Sequence, residues 1–142
     1  MYKLIPIEKL YAHRFGEDLP IVESKAFASI KEIFNNPNIK DEDSMYWELL
    51  GWFVNKIGDA FGWVRSDEDR KKRLGELRVL IESIKKNGYK KELEKSLEID
   101  GFVYGDISVK PREGNYEILD GHHRICIMIL MGDKFIEARV CE

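Results

Sequence analysis

The stretch YEILDGHHRICIMIL, Tyr116 to Leu130, changes its hydrophobic period midway. Ahead of Asp120 the apolar residues alternate, as in a strand with one buried side. Beyond Gly121 the apolar run Ile125 to Met131 has the continuity of a buried helix. A chain that carries this feature has to turn from strand to helix at Asp120-Gly121. The turn also brings His122, His123 and Arg124 to the first helical turn, so the remaining elements must pack around a helix that begins basic and continues apolar.

The flanking patterns supply those elements. Tyr2 to Ile7 alternates, and Pro6 suits an edge strand or a strand end. From Ser24 to Phe34, Ala26, Phe27, Ile30, Ile33 and Phe34 recur at helical spacing until Asn35-Asn36-Pro37 closes the pattern. Asp41 to Ser44 offers capping residues before a second, aromatic-rich helix that closes near Gly58 to Gly62. Ser66 caps a third, with Leu74, Leu77, Leu80, Ile81 and Ile84 as its stripe and Asn87-Gly88 as its stop. Lys90 to Asp100 fits a loop or a short helix. Asp106 to Lys110 reads as a strand, Pro111 to Asn115 as a turn, and Tyr116 to Leu119 as the returning strand. A helix over His122 to Met131, a stop at Gly132-Asp133 and a last strand over Phe135 to Cys141 complete an α+β order.

Length and charge bound the function. The 142 residues suffice for a single domain, 1–142, with one core. With 44% hydrophobic and 35% charged residues and a formal net charge of -3, affinity for nucleic acid through overall charge is excluded, so any polyanion site is local. The apolar run is too short to span a membrane and Met1 to Leu10 lacks a signal-peptide core, from which a cytoplasmic protein without a membrane partner is expected. Cys126 and Cys141 form no CxxC pair and read as two buried, reduced thiols.

The first turn of a helix exposes backbone amides and the positive end of the dipole, which together attract an anion. Gly121 would let a phosphate approach the backbone. Arg124 offers a fork matched to phosphate oxygens. His122 and His123 can donate hydrogen bonds or act as acid or base. Asp120 can carry Mg2+, orient a histidine or take a proton from a hydroxyl. The plainer reading gives Asp120 and Gly121 to cap and turn alone. Zinc is the weaker alternative, because adjacent histidines diverge on a helix and His13 lies far off in sequence.

Two further groups admit two readings each. Lys85, Lys86, Lys90, Lys91 and Lys95 could form a strip for a nucleic-acid backbone, but Glu82, Glu92, Glu94 and Glu98 intervene, as on a solvated helix face. Tyr46, Trp47, Trp52, Phe53, Phe61 and Trp63 read first as core. A substrate lid, a homodimer face, or Trp47 or Trp63 stacked on a base are the alternatives.

The segments LRVLIESIKKNGY, GDISVKPREGNYEILDGHHRICIMILMG and FIEARV, between Leu77 and Val140, resemble the ParB/sulfiredoxin superfamily, with Tyr2 to Leu10 in the place of its first strand. The resemblance implies a small mixed sheet flanked by helices. It also implies a helical insertion after the first strand, at about 22–65, and a motif-bearing part at about 74–142. A nucleotide would then be held by Gly121, His122, His123 and Arg124. Sulfiredoxins place their catalytic cysteine where this chain has His122, and Cys126 lies a turn further on. Chromosome-partitioning members share Gly121 and Arg124 but add a DNA-reading module, which is not expected after the final strand here.

Archaeal free-serine kinases share DGHHR itself and use an acid of a Pro-His-Glu stretch as base. In YAHRFGED, His13 remains and Arg14 stands in the acid's place, which leaves Glu17, Asp18 or Glu8 as candidates. Other members similar in layout carry a tryptophan-rich helical insertion. The first expectation is therefore ATP- or ADP-dependent phosphotransfer to a small hydroxyl compound. Mg2+ would sit at Asp120, and Asp120, His122 and His123 would take part in the chemistry. The second is a nucleotide-sensing or DNA-associated module that does no chemistry.

Overall fold

The computed structural model describes residues 1–12, 18–89 and 106–142. It opens with β1 (Tyr2–Pro6), a 3-10 turn (Ile7–Lys9), β2 (Leu10–Ala12) and β3 (Leu19–Pro20). Three helices follow: α1 (Lys25–Asn35), α2 (Met45–Ile57) and α3 (Asp67–Asn87). The motif-bearing part contains β4 (Ser108–Arg112), β5 (Asn115–Asp120), α4 (His122–Leu130) and β6 (Phe135–Val140). The strands join in one mixed sheet, ordered β1-β6-β4-β5-β2-β3, so the protein is α+β.

The helices begin where their capping side chains lie. Ser24 Oγ accepts from the Phe27 amide, Ser44 Oγ from Trp47 and Ser66 Oγ from Asp69, each at 3.1 Å. Each bond satisfies an amide that the helix itself leaves open. Gly58, at φ 103°, ends α2 in the left-handed conformation.

Alternation in the edge strands sorts side chains between core and solvent. Ile5 lies opposite Ile136 in the antiparallel β1/β6 pair, and both are buried. Their neighbours Leu4 and Phe135, on the other side of the sheet, are exposed. Val109 and Ile118, paired between β4 and β5, extend the inner surface. Helix α4 packs against α1 and α3, and each residue from His122 to Met128 is buried. It is thus the central helix, and its continuous apolar sequence reflects burial on all sides.

The sequence reading needs correction at four places. The strands β2 and β3 were not expected; at three and two residues they are too short to display alternation. Consequently α1 follows β3 rather than the first strand. Pro111 belongs to β4, and the turn contracts to Glu113 and Gly114, at φ 50° and 84°. Because β6 pairs β4 only at Ser108 and Val109, Pro111 stands beyond the ladder in which its missing N–H would be felt. Finally, Cys141 is half-buried, since it lies just past β6, whereas Cys126 is buried as expected. The Lys90 to Asp100 segment lies outside the described residues.

Replacing Ile125, which has no exposed surface, by alanine should cost about 2–5 kcal/mol in chemical denaturation, because α4 is enclosed and the cavity cannot collapse. Val79→Ala, on the exposed side of α3, should stay within about 0.5 kcal/mol.

Candidate functional site

Strand β5 delivers the chain to the centre of the molecule, and Gly121 turns it into α4. Its φ of 102° is in the left-handed region. A Cβ there would stand 2.8 Å from Ile107 Cγ1 and 3.3 Å from Arg124 Nη2. The glycine thus lets Ile107 and the arginine close over the turn. That packing role is a reason for glycine which the sequence reading, with its approaching phosphate, did not contain.

The next three side chains are basic and enclosed: His122 is 2% exposed, His123 8% and Arg124 2%. The Arg124 guanidinium donates to Tyr89 Oη at 3.3 Å and lies 3.8 Å from the Asp120 carboxylate, which is itself 54% exposed. A separation of 3.8 Å exceeds the usual length of a charge-assisted hydrogen bond, so an anion oxygen that came closer would compete well for the same guanidinium.

His123 meets the helical region. Its Nε2 lies 2.8 Å from Tyr46 Oη, and its ring is edge-on to Tyr46 and tilted against Phe61. Arg73, from α3, has Nη2 3.4 Å from the same nitrogen and donates through Nε to Tyr46 Oη at 3.3 Å. Its guanidinium stacks over Phe61 and pairs with Glu76 at 3.2 Å. Arg73, Glu76 and Tyr89 were missed by the sequence reading, which took Tyr46 first as core, with a lid or a homodimer face as the alternative. Arg73 precedes the apolar stripe of α3 and carries no local mark; only the fold brings it to His123 from 50 residues away.

Two of the candidate bases, Asp18 and Glu8, are among the described residues. Asp18 is gripped by Arg112 at 2.9 and 3.0 Å, and Arg112 sits beside the hairpin turn, at the end of β5 opposite Asp120. Glu8 is exposed on the first 3-10 turn. Glu17 and His13, with Arg14, lie outside the described residues. Among the described residues no three His, Cys, Asp or Glu side chains are grouped so as to hold a metal ion. Asp120 is the exposed carboxylate at the turn.

Of the lysine strip, Lys85 is spent on the Phe34 carbonyl at 2.8 Å and lies 3.9 Å from Glu82, while Lys86 is exposed. Lys90, Lys91 and Lys95 lie outside the described residues. The aromatics divide: Tyr46 is fully buried, Trp47 is stacked beneath Arg70 at 3.8 Å, and Trp52 is 45% exposed. Among the described residues no helix is long and apolar enough to cross a membrane.

No protein-family model, curated protein or solved structure matches the chain. Fold and site together define an α+β protein whose mixed sheet feeds a buried basic cluster into the first turn of its central helix.

Gly121→Ala should destabilise the protein by about 1–3 kcal/mol, the usual cost of a left-handed non-glycine residue, with Ile107 adding to it. Thiol labelling of the native protein should modify Cys141 first. Burial pushes the Cys126 thiol far above its ordinary value, and it should react only on unfolding. Rapid native labelling of Cys126 would contradict this enclosure.

Proposed function

We propose that the protein binds a phosphate-bearing ligand, a nucleotide in the first instance, at the start of α4. The observation that supports this reading is the convergence of Arg124, His122 and His123 at the positive end of that helix, with Arg73 adjoining. Side chains of this kind, held in place and largely out of water, interact with an anion more strongly than they would at the surface. The exposed Asp120 is the residue that would share Mg2+ with the phosphates.

Phosphotransfer from ATP or ADP to a small hydroxyl compound is the sharper form of this proposal. It needs a base; Asp18 is held by Arg112 beside the hairpin turn, and the carboxylate at the turn itself is Asp120. The same groups also suit the form in which the domain binds or senses the nucleotide without chemistry. The resemblance to the ParB/sulfiredoxin superfamily, carried by DGHHR, agrees with phosphate as the ligand.

Calorimetric titration with ATP, ADP and CTP in Mg2+ at moderate salt tests the reading. The protein should bind at least one of them, and Arg124→Gln should weaken that binding at least about tenfold, equivalent to about 1.4 kcal/mol. Arg124→Lys, which keeps the charge and loses the fork, should fall between the two. Unchanged affinity in a folded Arg124→Gln protein, or no binding by the unaltered chain, would overturn it.

A further inference from the structure

We propose that the outward side of α2 is the docking face for a second copy of this chain. The two α2 helices pack antiparallel about a two-fold axis beside Trp52, with Glu48 of each copy opposite Lys56 of the other. The proposal stands apart from the phosphate site and does not depend on it.

The sequence of α2, MYWELLGWFVNKI, is apolar at every position except Glu48, Gly51, Asn55 and Lys56, yet only Tyr46 and Leu50 are buried. By contrast α4, apolar beyond its first turn, is buried from His122 to Met128. A helix that is apolar on most sides needs more than one surface to cover it. The main neighbours of α2 are α1, α3 and the 3-10 turn Asp41–Asp43, and they leave its other side open.

That open side is organised. Met45, Leu49 and Trp52 follow one another at four and three residues, the spacing that brings side chains into one row. Met45 is 42% and Trp52 45% exposed, and Leu49 is half-buried. The Trp52 ring meets Phe53 edge-on, with centroids 4.9 Å apart, which orients a large aromatic surface outward from the row.

The charges identify the occupant. Glu48 and Lys56 lie four residues to either side of Trp52, about 6 Å along the axis in each direction and turned about 40° to each side of it. Both are exposed, and neither has an ion-pair partner among the described residues. A two-fold axis beside Trp52 reverses one helix against the other and brings Glu48 to the level of Lys56 twice over. The two Trp52 side chains then meet at the centre, and the helix dipoles run opposed. An anionic membrane is the poorer occupant, because Asp41, Glu42 and Asp43 precede the helix and the chain carries a formal net charge of -3.

Sedimentation equilibrium of the full chain tests the proposal. The protein should follow a monomer–dimer equilibrium, with the dimer at twice 16.6 kDa. Trp52→Ser should raise the dissociation constant at least about tenfold. Glu48→Lys alone, or Lys56→Glu alone, sets like charges opposite each other at two places and should raise it about tenfold. Glu48→Lys combined with Lys56→Glu restores opposite charges and should return the constant to that of the unaltered chain. Each of these side chains is exposed, so circular dichroism should show an unchanged fold.

A monomer at every concentration would overturn the proposal. If that monomer also sedimented with vesicles of phosphatidylcholine and phosphatidylglycerol, and Trp52→Ser released it, the face would belong to a membrane instead. A dimer indifferent to Trp52→Ser would place the interface elsewhere and overturn the proposal as well. A dimer weakened by each single charge reversal and not recovered by the pair would overturn the antiparallel arrangement, and so would one that no reversal altered.

Discussion

The close approach of Ile107 to the backbone at Gly121 is the constraint on which the arrangement depends. Were a Cβ present it would meet Ile107 Cγ1 at 2.8 Å, so the left-handed turn and the packing above it are one requirement. Through that turn β5 passes directly into α4, and α4 packs against α1 and α3 with each residue from His122 to Met128 buried. A helix buried on all sides cannot rotate to find another seat for its polar first turn. His122, His123 and Arg124 are therefore inside because the apolar residues that follow them are inside.

Enclosure sets the requirement that the helical region then meets. Buried polar groups need partners, and the partners must come from elements that reach the centre. For Arg124 these include Tyr89 and Asp120. For His123 they include Tyr46 and Arg73, from two helices that precede the motif in the chain. The aromatic region is thus joined to the motif by polar contacts as well as by apolar ones. A ligand that altered His123 would be felt at α2 and α3, which is the physical content a sensing role requires.

What was legible in the sequence is what depends on local pattern. Ser44 and Ser66 announced two helices, because a cap is a short-range signal, the apolar spacing from Ala26 to Phe34 announced another, and the strand-to-helix turn was plain from the change of period at Gly121. Pro111 misled because proline marks a turn in most contexts, and only the shortness of the β4/β6 pairing makes it acceptable in a strand. The short β2 and β3 had too few residues to reveal a period. At the site, the motif residues were readable and their partners were not. Tyr46 lies 77 residues from His123 and Arg73 lies 50, and no spacing rule links residues so far apart.

The contacts of His123 bear on which chemistry the turn can support. A proton-accepting role needs a lone pair facing a substrate, and Tyr46 already faces the Nε2 of His123 at hydrogen-bond distance. Phosphoryl transfer relies chiefly on positioning and on stabilising charge, for which donors serve better than bases. A turn composed of Arg124, two buried imidazoles and helix amides is consistent with holding phosphates, and Asp120 is the carboxylate at its edge. The same groups suit recognition, and the polar link from His123 to α2 and α3 gives recognition a route to the rest of the protein.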